Sequence, residues 1–122
     1  MTDSRVADLA TRTKAFAIRI IKVYSALPKT TEAQVLGKQV LRSGTSVGAH
    51  YREANRARSD AEFISKLNAG LAELDETSYW LELMVESDIV AASRLAPLQA
   101  EAKELTAILV TCIKNAKKHT AK

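Results

Sequence analysis

The chain of 122 residues has one cysteine, two prolines, four glycines and few aromatic residues, 5% of the total. The single cysteine, Cys112, excludes a disulfide within the chain. Strand-rich folds depend on turn residues and aromatic strands, so the shortage of both argues against them. Apolar residues make up 47% and charged residues 26%, as is typical of a globular protein. We therefore predict one helical domain that spans residues 1–122.

Long apolar runs are also missing from the sequence. No segment approaches the roughly 18 to 20 apolar residues that a membrane-spanning helix requires. The start, Met1 to Ser4, is polar and has no resemblance to a secretory signal. We expect a cytoplasmic protein with no membrane contact.

The sequence has few residues of the types that bind metals or cofactors or take part in catalysis. Only His50 and His119 could join carboxylates or Cys112 as metal ligands, and their spacing fits no known metal motif. Ser46, His50 and Glu53 follow each other at steps of four and three, as a serine-histidine-carboxylate relay in a helix could. A mid-helix backbone has already bonded its N–H groups and offers no oxyanion hole, so we interpret these three as a polar seam between helices. No enzymatic activity, metal or cofactor is expected.

Four amphipathic helices are predicted, at about residues 3–27, 31–57, 59–87 and 94–118. In the first helix, apolar or semi-polar residues alternate at steps of three and four, the rhythm of a bundle helix: Val6, Leu9, Thr13, Phe16, Ile20, Val23 and Leu27. It should end before Pro28, because the residue before a proline is disfavoured in a helix. Short connections between four such helices predict an all-α, antiparallel up-down-up-down four-helix bundle.

Local signals mark the starts of the other three helices. Thr30 or Thr31 can cap the second helix by accepting a hydrogen bond from a free backbone N–H. Ser59 and Glu62 have the spacing of a capping box for the third helix. Pro97 suits the first turn of the fourth helix, where an N–H has no partner in any case.

Small residues interrupt the apolar face of the second helix, which is predicted to contain Val35, Leu36, Val40, Val47, Tyr51 and Ala54. Gly44 and Gly48 are one turn apart on the same side, and each glycine destabilises a helix by up to about 1 kcal/mol relative to alanine. A close approach by a neighbouring helix would offset that cost. We predict a helix-packing site formed by Ser43, Gly44, Ser46, Val47 and Gly48.

Charge is unevenly distributed along the chain. The net charge is +4, yet residues 59–88 contain eight acidic residues and one basic residue. Arg5, Arg12 and Arg19 recur every seven residues on the first helix, and a second arginine group ends the second helix: Arg52, Arg56 and Arg58. These six could bind phosphates of RNA or DNA. Alternatively they are solvated flanks, with an Asp8–Arg12 pair and with arginines opposite the acidic residues of the third helix, Asp75, Glu82 and Glu86.

Aromatic and apolar residues lie off the main core face of the third helix, whose predicted core residues are Phe63, Leu67, Leu71, Leu74, Ser78, Leu81 and Val85. Tyr79 and Leu83 project to another side, and Trp80 flanks them. Such residues are unfavourable in water, so we predict that Tyr79, Trp80 and Leu83 form an oligomer interface. A wide core face could cover Trp80 alone, but it does not readily cover Leu83.

Several segments together resemble a known bacterial family. They are the stretch from Leu41 to Ala54, then Arg58-Ser59, Glu62-Phe63, Glu73-Leu74 and Glu76 to Leu81. The chain resembles the four-helix-bundle family named after proteins encoded in intervening sequences of 23S ribosomal RNA genes. His50 departs from the family pattern, which more often has asparagine there.

The resemblance implies short antiparallel bundles that assemble into ring-shaped homopentamers, with no enzymatic activity. A relative serves as the accessory protein of diversity-generating retroelements and associates with a reverse transcriptase and nucleic acid. The leading hypothesis is therefore a homo-oligomer, expected to be a pentamer, that binds RNA or DNA through its arginines without base specificity. The alternative is a protein-interaction scaffold whose basic and acidic faces match across subunits, with no nucleic-acid role.

Overall fold

The computed structural model describes residues 9–120 and contains four α-helices. They are α1 (Leu9–Ser25), α2 (Thr31–Asn55), α3 (Asp60–Glu86) and α4 (Ala92–Thr120). Each helix packs on the next along the chain, and α1 also packs on α4, which closes a four-helix bundle. No strand occurs within these residues, so the all-α prediction is confirmed. The predicted start of the first helix at residue 3, with Val6, lies outside the described residues.

Side chains at the helix starts satisfy backbone N–H groups that lack a partner within the helix. Thr30 caps α2, because its side chain accepts a hydrogen bond from the Ala33 N–H at 3.3 Å. Ser59 caps α3 by accepting from the Glu62 N–H at 3.1 Å. The Glu62 carboxylate accepts from the Arg58 N–H at 2.7 Å, one residue before the position expected in a capping box.

The core consists of apolar side chains that face inward from all four helices. Fully buried examples are Phe16 and Ile20 of α1, Leu74 and Leu81 of α3, and Leu105 of α4. Three buried polar residues, Thr13, Ser43 and Thr77, all form hydrogen bonds, so their burial leaves no polar atom without a partner. The apolar periodicity of the sequence therefore corresponds to one continuous core.

Three details of the packing differ from the sequence-based predictions. Val35 was expected on the inner face of α2 but is 56% exposed, because Ala33 and Gly37 occupy that face in its place. In α3 the buried hydroxyl residue is Thr77, whereas Ser78 is half-buried. Helix α4 begins at Ala92, so Pro97 lies in its second turn rather than its first.

None of the described helices is both long and apolar enough to cross a bilayer.

Candidate functional site

Helices α1 and α2 approach each other closely where α2 has glycine. A Cβ atom added at Gly44 would lie 2.7 Å from Ile20 Cγ1, and one added at Gly48 would lie 3.1 Å from Thr13 Oγ1. The same crowding occurs at Gly37, where an added Cβ would come within 2.5 Å of Leu27 Cδ1. Gly37 was not singled out from the sequence, although its spacing of seven from Gly44 could have revealed it. The glycines therefore occupy positions at which a larger residue would push α1 away.

The other predicted packing residues of α2 have distinct environments. Val47 is buried in the core. The Thr77 hydroxyl donates to Ser43 Oγ at 2.8 Å, and the Ser43 hydroxyl donates to the Gln39 carbonyl at 2.9 Å. Ser46 is half-buried, and its hydroxyl donates to the Arg42 carbonyl at 2.7 Å, within its own helix. Ser43 is thus the residue of this set that joins α2 to α3 by a polar contact.

His50 and Glu53 form part of a polar contact between α2 and α3. His50 Nδ1 lies 3.0 Å from one Glu53 carboxylate oxygen, and Lys66 Nζ donates to the other at 3.2 Å. The hydrogen bond from Lys66, with its charge, lowers the pKa of the Glu53 carboxyl group, and His50 adds a smaller effect in the same direction. The Ser46 hydroxyl is bonded to Arg42, so it does not complete a relay with His50.

Arg12 forms ion pairs with α4. Its guanidinium lies 2.7 Å from a Glu101 carboxylate oxygen and 3.3 Å from Glu104, with 21% of the Arg12 side chain exposed. The hydrogen bond to Glu101 raises the pKa of Arg12, and Glu104 adds to it. The predicted partner Asp8 lies outside the described residues. Arg12 is therefore largely neutralised by α4.

A second ion-pair group joins α2 to α3 through Arg42. The Arg42 guanidinium lies 3.1 Å from Glu73 and also contacts Glu76. Trp80 Nε1 donates to the same Glu76 oxygen at 3.2 Å; this bond, followed by that from Arg42, lowers the pKa of Glu76. The sequence-based expectation placed arginines opposite Asp75, Glu82 and Glu86. This expectation is wrong within residues 9–120. The α3 carboxylates that form ion pairs with an arginine of α2 are Glu73 and Glu76, because they turn toward α2.

The remaining candidate arginines are exposed at the surface. Arg19 lies on α1, and Arg52 lies in the last turn of α2, where it lines an open groove between α1 and α2. Arg56 and Arg58 follow in the connection to α3. None of these four forms an ion pair with another residue of the described part, 9–120. Arg5 lies outside that part. Four of the six candidate arginines are therefore available to a partner.

The proposed interface residues of α3 differ in burial. Tyr79 is 54% exposed. Trp80 is half-buried and packs against the core, and its ring centroid lies 5.2 Å from that of Tyr79 at an interplanar angle of 58°. Leu83 is half-buried. Tyr79 is thus the most accessible of the three, while Trp80 is held by both the core and Glu76.

Comparison with known proteins defines the class of protein to which this fold belongs. The profile of the 23S rRNA-intervening sequence protein family matches residues 6–111, so the chain belongs to that family. A crystal structure of a protein of unknown function from the S23 ribosomal protein family of Bacteroides thetaiotaomicron is similar in sequence and fold. The two chains are 38% identical with a TM-score of 0.84, over 89% of this chain and 97% of the other. No curated protein matches the chain with comparable significance.

Proposed function

We propose that this protein is a non-enzymatic, cytoplasmic homo-oligomer that binds the backbone of RNA or DNA through one basic end of its bundle. The single observation that carries the nucleic-acid part is the group of exposed cations at that end. Five subunits are expected from the family resemblance. A reverse transcriptase as an additional partner rests on the same resemblance.

We infer that neighbouring helices run in opposite directions. Along α1 and α2, Gly37 faces Leu27, Gly44 faces Ile20 and Gly48 faces Thr13. As the residue numbers on α2 rise from 37 to 48, the residue numbers of the side chains they contact fall from 27 to 13, so the two helices run in opposite directions. The contacts of α2 with α3 follow the same order, since Lys66 meets Glu53 and Thr77 meets Ser43. This order supports an up-down-up-down bundle.

In such a bundle the end of α2, the start of α3 and the end of α4 lie together. His119 Nε2 of α4 lies 3.9 Å from Asp60 Oδ2 at the start of α3, which supports this proximity. Arg56 and Arg58 precede Asp60 in the chain, and Lys117 and Lys118 precede His119. All four of these cations are exposed. Their charges therefore concentrate at one end of the molecule.

Exposed cations on loops and helix ends are suited to phosphates rather than to base edges. Phosphate contacts orient a protein on a nucleic acid, but they do not read its sequence. They also release counterions, so the affinity should fall steeply as salt rises. Arg12 contributes little in this proposal because Glu101 and Glu104 already neutralise it.

The test is a charge reversal of Arg56→Glu with Arg58→Glu, compared with a matched reversal of Lys22→Glu with Lys29→Glu. Lys22 and Lys29 are exposed and lie near the connection between α1 and α2, at the opposite end. Both variants change the net charge equally, so only the location differs. Binding to a fluorescein-labelled 23S rRNA fragment, and to DNA of the same sequence, is measured by fluorescence anisotropy over a salt series.

We expect the Arg56/Arg58 variant to lose most of its affinity, and the Lys22/Lys29 variant to keep it. The slope of log affinity against log salt should become shallower by about 0.7 to 0.9 for each phosphate that the variant no longer binds. Equal affinities of the Arg56/Arg58 variant and the unaltered protein would reject the basic end as the binding surface. Substitution of Arg12 is a poor test, because it would also break the ion pair with Glu101.

A protein-interaction scaffold without a nucleic-acid role is the second candidate. The exposed Tyr79 of α3, with carboxylates on both sides of it, favours this alternative. Native mass spectrometry separates the two candidates. An oligomer that is purified free of nucleic acid and shows no salt-sensitive binding to added RNA or DNA would support the scaffold.

A further inference from the structure

An open groove lies between α1 and α2 on the outside of the bundle. Its volume is about 340 Å³, which leaves room for an aromatic side chain. The residues that line it are mostly small: Ala10, Thr13, Lys14, Ala17, Thr45, Gly48, Ala49 and Arg52. Ile21 follows Ala17 by one helical turn, so it extends the same side of α1, and it is 46% exposed. The groove is therefore the start of a larger apolar surface that residues 9–120 leave uncovered.

The groove has a positive charge on each side. Lys14 contributes one from α1, and Arg52 contributes the other from α2. Both side chains are exposed, and neither forms an ion pair within residues 9–120. A partner that fits should therefore present an apolar group between two negative charges.

The outer face of α3 has that arrangement. Tyr79 projects from it, 54% exposed. Asp75 precedes Tyr79 by four residues and Glu82 follows it by three, so both carboxylates lie on the same side of the helix as the ring. Both carboxylates are exposed, and neither is paired with a cation of the described residues. An aromatic ring flanked by acids thus complements a small-residue groove flanked by bases.

We propose that Tyr79 of one copy of this chain inserts into the α1–α2 groove of a second copy, with Asp75 and Glu82 facing Lys14 and Arg52. This inference rests on the self-association proposed above and specifies its two faces. Burial of the tyrosine ring supplies the affinity, as aromatic anchors do in protein interfaces. The rim charges supply orientation and exclude the like-charged pairing of α3 with α3. Arg52 is then an interface residue rather than a phosphate ligand.

In the proposed contact, the Tyr79 face of α3 and the α1–α2 groove engage different neighbours, which makes the contact heterologous. Each copy presents a Tyr79 face to one neighbour and a groove to another, and repeated use of the same contact closes into a ring or continues as a filament. A symmetric dimer in which α3 meets α3 is excluded by this arrangement. The proposal therefore predicts cross-links between the Tyr79 face and the groove, and none between two α3 helices.

The first experiment is disulfide cross-linking with Ala49→Cys and Glu82→Cys, which keeps the Tyr79 ring as the anchor. Both positions are exposed and the native Cys112 is buried, so the unaltered protein serves as the control. After mild oxidation, the double variant should give covalent dimers and larger species on a non-reducing denaturing gel. Each single variant should remain monomeric on that gel. Cross-linked dimers of the Glu82→Cys variant alone would mean that α3 meets α3, which overturns the proposal.

The second experiment reverses the rim charges and reads the oligomeric state by native mass spectrometry. We expect Lys14→Glu with Arg52→Glu to raise the concentration at which the oligomer dissociates by at least about tenfold. Adding Asp75→Lys with Glu82→Lys should restore association, since the charges are then exchanged across the contact. Far-UV circular dichroism verifies folding, and Thr45→Cys replaces Ala49→Cys if that variant loses its helical signal.

The outcomes separate this inference from the function on which it rests. If the unaltered protein is a monomer at every concentration, self-association itself fails and this inference fails with it. If it is an oligomer but the double variant does not cross-link, the assignment of the two faces is wrong while self-association stands. Restored association in the fourfold charge variant, together with cross-links confined to the double variant, supports the assignment.

Discussion

Gly44 shows how a single residue controls the spacing of α1 and α2. The three nearest atoms to an added Cβ all belong to Ile20, at 2.7 to 3.2 Å, and Ile20 is fully buried. A buried side chain in a packed core has little room to move aside. We expect Gly44→Ala to lower the free energy of unfolding by about 1–3 kcal/mol, as overpacking does, in spite of the better helix propensity of alanine.

Gly70 of α3 is the matched control for that substitution. An added Cβ there would lie 3.5 Å from His50 Cβ and 3.6 Å from the Val47 carbonyl oxygen, which are ordinary contacts. Gly70→Ala should therefore leave the stability unchanged or raise it by up to about 1 kcal/mol. Urea denaturation at one fixed protein concentration measures both variants. A Gly44→Ala variant as stable as Gly70→Ala would show that Ile20 does not hold α1 against α2.

Glycines and serines were informative in the sequence only where their pattern was unusual. Gly44 and Gly48 were identified because two glycines one turn apart are costly in a helix. Gly37 was overlooked although its contact with Leu27 is as tight. The Ser43–Thr77 hydrogen bond could not be predicted, because it depends on the register between two helices rather than on either helix.

Among the helices, α3 ends in a Schellman motif with an unusual residue. Ile89 N–H donates to the Met84 carbonyl at 3.0 Å, and Asp88 N–H donates to the Val85 carbonyl at 3.1 Å. Asp88 has a φ of 61°, a left-handed conformation in which a side chain is unfavourable and glycine is preferred. We expect Asp88→Gly to raise the free energy of unfolding by about 1 kcal/mol or less.

The neighbouring Ser87 provides the control for Asp88. Its φ is −94°, which every L-residue adopts easily, so Ser87→Gly gains no relief of strain and should destabilise the protein slightly. Thermal denaturation of the two variants at equal concentration tests the difference. A destabilised Asp88→Gly would contradict the left-handed turn as a source of strain.

Two helix starts have clear local signals in the sequence, whereas the end of α3 has none. Ser59, and Thr30 or Thr31, are predicted as caps because short polar side chains compete well for free N–H groups. The structure shows Ser59 and Thr30 in that role. The end of α3 at Glu86 has no glycine or proline to mark it, and the turn relies on Asp88 instead. Pro97 misled the placement of α4 because a proline in the second turn is uncommon.

For the molecule as a whole, acid should weaken the contact between α2 and α3. Glu53 and Glu76 have pKa values below the ordinary glutamate value, because the folded state hydrogen-bonds their charged forms. Such groups stabilise the folded state above the unfolded pKa, and the contribution is lost as pH falls through the folded value. We therefore expect stability to decline progressively below about pH 4.3, the ordinary glutamate pKa.

Urea denaturation between neutral and acid pH measures this decline. The Glu76→Gln variant should be less stable than the unaltered protein at neutral pH, and the difference should shrink as the pH falls. A difference that stays constant over this range would mean that ionised Glu76 contributes nothing through Arg42 and Trp80.

The family was indicated by the resemblance of particular segments, and the family profile confirms it. Residue patterns alone were sufficient to predict the helical class, the approximate limits of the helices, the cap Ser59, and Thr30 or Thr31 as the other cap. These depend on local interactions and on a periodicity that any window of the chain displays. The packing of the helices, in contrast, determines which charges are neutralised. Arg12 and Arg42 are paired with Glu101, Glu73 and Glu76, whereas Arg56 and Arg58 stay exposed. Those pairings depend on the rotation and register of one helix against another, which the residues of a single helix do not specify.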